Sequence, residues 1–96
     1  CYSCKTLEQY AREALDEKYS QEMESGLIDF RSINIDKAAN KDIARKYQAS
    51  GSSLFFNPIR DGRDNIEQDT TVWRLLGDEA KFKQYIEGRV NYYLGL

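Results

Sequence analysis

The chain has 96 residues, 41% apolar and 31% charged, with 16 acidic and 14 basic side chains and a formal net charge of −2. That length supports one domain around one modest core. The near balance of charge lacks the basic footprint of a nucleic-acid binder, and no apolar run reaches membrane-spanning length, so neither partner is expected.

The chain opens on Cys1-Tyr2-Ser3-Cys4, which holds its only cysteines. A helical pattern follows at once. A helix starting at or near Cys1 would place the first sulfur at its amino end, where exposed N–H groups and the helix dipole stabilise a thiolate. The second sulfur would lie about one turn away on the same side. That spacing suits a reversible disulfide in which one thiol attacks and the other resolves. Lys5 is the nearest basic residue. Three other readings stay open: a structural bridge, two inert reduced thiols, or half of a metal site. The chain has no histidine. Zinc or an iron–sulfur centre would therefore need four sulfurs from a dimer, and no metal or cofactor is expected.

Residues 4–23 carry apolar positions at helical spacing: Cys4, Leu7, Ala11, Ala14 and Leu15. Ser25-Gly26 is the stop signal. Within this helix Glu13 and Glu17 form an unfavourable like-charge pair. Residues 27–35 read as a strand, with Ile28 and Phe30 on one face and Ile33 and Ile35 on the other. The parity switch near Arg31-Ser32 reads as a bulge or as apolar contact on both faces. A second helix is expected from Lys37 or Asn40 to Tyr47, with Asn40 as its cap and Ile43, Ala44 and Tyr47 as its stripe.

After the small-residue turn 50–53, Leu54-Phe55-Phe56 reads as a short buried strand ended by Asn57-Pro58. Asp61-Gly62 reads as a hairpin turn into an antiparallel edge strand over residues 63–67. Residues 69–71 cap a short helical segment containing Val72, Trp73, Leu75 and Leu76. Gly77-Asp78 interrupts it, and a final helix runs over residues 79–93. Its apolar positions are Phe82, Tyr85, Ile86, Val90, Tyr93 and Leu94. Helices alternating with strands indicate an α/β or α+β domain, with residues 27–35 and 54–56 as a parallel crossover pair. The paired carboxylates Asp61/Asp64 and Glu67/Asp69 lie in loops and read as surface turns rather than a catalytic pair.

Taken in order, Cys1-Tyr2-Ser3-Cys4-Lys5, then residues 33–36 with Ile43-Ala44-Arg45-Lys46-Tyr47, then residues 51–56 with Asp61-Gly62, resemble the thioredoxin-fold superfamily. The tail with Thr71-Val72-Trp73-Arg74-Leu75 and Phe82-Lys83-Gln84-Tyr85-Ile86 is similar to small bacterial thioredoxin-like proteins named as an arsenic-operon-associated or nitroreductase-subunit family. The resemblance implies a thioredoxin-like three-layer α/β/α domain spanning residues 1–96. It implies Cys1 as the exposed attacking thiol and Cys4 as the buried resolving one. It also implies a partner-facing surface made of Tyr2, Ser3, Gly51, Ser52, Ser53 and Leu54. The expected activity is thiol–disulfide exchange with protein thiols or disulfides. The alternative is a binding or adaptor module whose cysteines are structural or vestigial.

Two departures bear on that choice. Ser53 stands where the family carries a cis-proline. A cis bond before a non-proline residue costs about 2.5–4 kcal/mol, so a trans bond is expected there. Tyr2 and Ser3 replace the common glycine and proline between the cysteines. The family's central strand would precede Cys1, and the chain is expected to lack it, with preceding residues, another segment or another protomer filling the gap. The compartment, bacterial cytoplasm or periplasm, stays open. The aromatic load, including Trp73, Tyr85, Tyr92 and Tyr93, is expected to serve helix packing first, with an oligomer contact as the alternative.

Overall fold

The computed structural model describes residues 2–96, so Cys1 lies outside the described residues. The fold is mixed α and β: four α-helices, two short 3-10 turns and a two-stranded antiparallel sheet among the described residues. The chain divides into two compact units. One comprises the residues up to Arg31 together with Thr71–Leu96, and the other is Ser32–Thr70.

The first unit is helical. Its long helices are α1 (Tyr2–Lys18) and α4 (Glu79–Leu94), with the short α2 (Ser20–Glu24) between them in sequence. Leu7, Ala11, Ala14 and Leu15 recur at three- and four-residue spacing on α1 and are buried. Phe82, Ile86 and Val90, each four apart, are the buried row of α4. Val72, from the 3-10 turn Thr71–Leu75, joins this core. The alanines let the two long helices approach closely, and Tyr10 packs edge-on against Phe82 at 5.6 Å between ring centroids.

The helix expected over residues 4–23 is interrupted at Tyr19. There the backbone leaves helical geometry, at φ −131° and ψ 29°, and the ring is buried. The hydroxyl lies 3.0 Å from the Glu87 carbonyl and also contacts the Asn91 side chain. Burying a tyrosine requires a partner for its oxygen, and α4 supplies it. Burial, and then the nearby Glu87 and Glu22, push the Tyr19 hydroxyl pKa up. Gly26, at φ 86°, ends the helical run as expected.

The strand expected over residues 27–35 does not form, and with it goes the parallel crossover. This stretch is irregular, with Leu27 67% and Ile33 36% exposed. Local side-chain bonds take the place of a ladder. Arg31 pairs with Asp29 at 2.9 Å, Asn34 Oδ1 accepts from the Asp36 N–H, and Asn40 Nδ2 donates to the Asn34 carbonyl. The parity switch at Arg31-Ser32 falls where the chain passes from one unit to the other.

The second unit holds α3 (Lys41–Tyr47), preceded by a 3-10 turn over Ala38–Asn40, and the strands β1 (Leu54–Phe56) and β2 (Glu67–Asp69). Asn40 precedes α3 but, at φ −103° and ψ 9°, lacks the extended backbone of a cap and makes no side-chain cap bond; its Nδ2 donates to the Asn34 carbonyl. The pairing is antiparallel as expected, in the register Leu54↔Asp69, Phe55↔Gln68, Phe56↔Glu67. The second strand lies later than residues 63–67. Residues 57–66 are held by asparagine side chains and leave the ladder to resume at Glu67.

Candidate functional site

Tyr2, Ser3 and Cys4 of the cysteine motif lie at the amino end of α1. Tyr2 is already helical, and Cys4 sits in the first turn of this 17-residue helix. No acidic side chain lies in that turn. The first N–H groups of any helix lack intrahelical acceptors, so this end carries positive partial charge. Tyr2 is 86% exposed, Ser3 is exposed and Cys4 is partly buried. Thr6 Oγ1 donates to the Tyr2 carbonyl at 3.0 Å, which ties down the first turn. Among the described residues no cysteine is a free thiol. Tyr2, Ser3 and Cys4 thus share one accessible helix end, while Cys1 lies outside the described residues.

Gly51, Ser52, Ser53 and Leu54 belong to the other unit, where they lead into β1. Gly51 and Ser52 are exposed, and Ser53 and Leu54 are half-buried. Every peptide bond among the described residues is trans, including the one before Ser53. The Ser53 hydroxyl accepts a hydrogen bond from Gln68 Nε2 at 3.2 Å, across the strand pair.

The second unit also contains a polar network that sequence reading missed. Asn57 Nδ2 lies 3.0 Å from both the Tyr47 hydroxyl and Asp64 Oδ1, and Asn57 Oδ1 accepts from the Asn65 N–H at 2.9 Å. Asn65 Nδ2 donates to the Pro58 carbonyl at 2.9 Å. Lys46 Nζ pairs with Asp64 at 2.9 Å. The hydrogen-bonded ammonium of Lys46, then the Asn57 amide, hold the Asp64 carboxyl below its ordinary pKa. The same bond to Asp64 raises the Lys46 pKa. The only hint in sequence was Asn57-Pro58, which marks a loop but not what the asparagine holds. Beside the network, Lys46, Tyr47, Gln48, Phe55, Ile66 and Gln68 line a cleft of about 280 Å³. Its wall offers amides, an ion-paired lysine and two rings in edge-on contact at 5.4 Å, but no carboxylate or thiol nucleophile.

Among the described residues there is no cluster of three or more His, Cys, Asp or Glu side chains able to hold a metal ion. Among the described residues no helix is long and apolar enough to cross a membrane. Comparison with family models, curated proteins and solved structures returned no match.

Proposed function

We propose that this chain is a thioredoxin-like thiol–disulfide oxidoreductase acting through Cys1 and Cys4. The observation that carries the reading is the place of Cys4: the first turn of a long helix, free of acidic side chains, beside exposed Tyr2 and Ser3. A thiolate there gains from the helix dipole without a competing carboxylate. The order of α1, α3, the antiparallel strands and α4 supports the thioredoxin-like reading of the fold, and the irregular stretch 27–35 departs from it.

In the proposed reaction the Cys1 thiolate attacks one sulfur of a partner disulfide. A mixed disulfide forms, and the other partner sulfur leaves as a thiolate. The Cys4 thiolate then attacks the Cys1 sulfur, closes the Cys1–Cys4 disulfide and releases the second partner thiolate. Two electrons pass from the pair to the partner, and the same steps in reverse oxidise it.

The second reading, a binding or adaptor module with structural or vestigial cysteines, is favoured by Ser53. Its hydroxyl is engaged with Gln68 and its peptide bond is trans, so a partner strand would meet an altered edge. Equilibration against a glutathione series, read by thiol trapping and mass spectrometry, separates the two. The oxidoreductase reading expects a two-electron transition between about −120 and −270 mV, and a pair still oxidised below about −300 mV is a structural bridge. With the transition in range, Cys4→Ser should accumulate mixed disulfides through Cys1.

A further inference from the structure

Gly62 is the one glycine in the sequence that follows an aspartate or asparagine. Asp61 and Gly62 occupy the two central positions of a hairpin turn. The flanking Arg60 and Arg63 exchange both backbone hydrogen bonds, at 3.0 and 2.9 Å. The φ angles of 53° at Asp61 and 75° at Gly62 are those of a type I′ turn. Both residues are exposed.

We propose that this turn is a site of spontaneous backbone modification, in which Asp61 converts through a succinimide to isoaspartate. The Gly62 amide nitrogen bonds to Asp61 Cγ, and the Cγ–OH bond breaks. The oxygen leaves as water, carrying the carboxyl proton and the amide proton. Water then adds to either imide carbonyl. Opening at Cγ restores aspartate. Opening at the main-chain carbonyl leaves the backbone running through the former side chain. The net change is an isomerisation, with no oxidant, reductant or cofactor consumed.

The turn geometry favours ring closure. The five-membered ring sets the Asp61 ψ at about −120°, the value at the first central position of a type II′ turn, where φ is about +60°. Asp61 already has that φ. Rotating the Asp61–Gly62 peptide therefore converts I′ to II′ while Arg60 and Arg63 stay paired. The rotation carries Gly62 from positive to negative φ, which glycine tolerates in both senses. The space around Gly62 is open: a Cβ built there would meet nothing within 4 Å. The folded hairpin thus holds the reactive conformer one peptide rotation away. Isomerisation would add a backbone bond between Arg60 and Arg63. It would disturb the register that delivers Asp64 to Lys46 and Asn65 to Asn57. The proposal is independent of the cysteine chemistry.

The test is to age the full chain at neutral pH and physiological temperature. Isoaspartate is then located by peptide mapping with electron-transfer fragmentation, alongside a sample kept unfolded in guanidinium chloride. Isomerisation at Asp61 is expected at least about fivefold faster than at any other aspartate, because only its neighbour lacks a Cβ. It is also expected to run no slower in the folded chain than in the unfolded one. Asp61→Asn, which suits the same turn, should react faster still and release ammonia. Slower reaction in the folded chain than in guanidinium, or isoaspartate spread evenly over the aspartates, would overturn the proposal.

Discussion

Lys83 reaches three carboxylates: Glu17 at 2.9 Å, Glu79 at 3.3 Å and Glu13 at 3.4 Å, with its side chain 14% exposed. Glu13 and Glu17 read in sequence as mutually repelling, and the lysine between them turns that repulsion into a clasp joining α1 to α4. Bonding to Glu17 first, then to the other carboxylates, raises the Lys83 pKa well above its ordinary 10.5. A cation whose pKa is raised on folding stabilises fully below its unfolded value, and that contribution is lost as pH rises through the folded value. Lys83→Gln should therefore lower the urea midpoint by the same amount from neutral pH to the ordinary lysine pKa of 10.5, and by less above it. Added salt should narrow the gap between variant and wild type. A deficit independent of both salt and alkaline pH would mean that Lys83 acts through packing of its stem.

At the scale of elements, the helix ends follow local chemistry. Asp78 caps α4 by accepting from the Lys81 N–H at 3.2 Å. At the far end Gly95, at φ 79°, lets Leu96 N–H reach the Asn91 carbonyl at 2.8 Å. The end of α3 has the same form but places Gln48 in the left-handed position, at φ 55°, with Ala49 N–H on the Ala44 carbonyl at 2.9 Å. A side chain there costs what glycine avoids. Gln48→Gly should therefore stabilise the second unit by about 0.5–1 kcal/mol, measured as a raised denaturant midpoint with unchanged slope. A loss of stability would mean that the glutamine's contacts in the cleft outweigh its backbone strain.

Over the whole molecule, burial is uneven. Among the described residues the fully buried apolar side chains, led by Phe82 and Val72, belong to the helical unit, whereas Ile43, Tyr47, Phe55 and Ile66 of the second unit are only half-buried. Amide exchange should follow this division. The α1 and α4 amides should exchange through the largest opening free energy, and those of β1 and β2 through a smaller one. Equal protection of the two sets would show that they open together as one cooperative body.

Much of the element order was legible in the sequence. Residues 79–93 closely anticipate α4, and Gly26, Tyr47 and Gly77-Asp78 mark boundaries that the structure keeps. Helices and the Asp61-Gly62 turn depend on residues within a few positions of one another, so sequence alone determined most of them, whereas the cap expected at Asn40 did not form. The place of Tyr2, Ser3 and Cys4 at a helix start was legible for the same reason. Residues 27–35 had a strand's composition, but a strand needs a partner elsewhere in the chain, and local side-chain bonds engage the backbone around Asn34 instead, the Asn34 carbonyl accepting from Asn40 and the Asp36 N–H donating to the Asn34 side chain. The bend at Tyr19, the Asn57 network and the Lys83 clasp each join groups that sequence does not show as neighbours, Lys83 and Glu17 being 66 residues apart. Those contacts were decided by tertiary structure alone, because the free energy of a polar group depends on which partner folding brings to it.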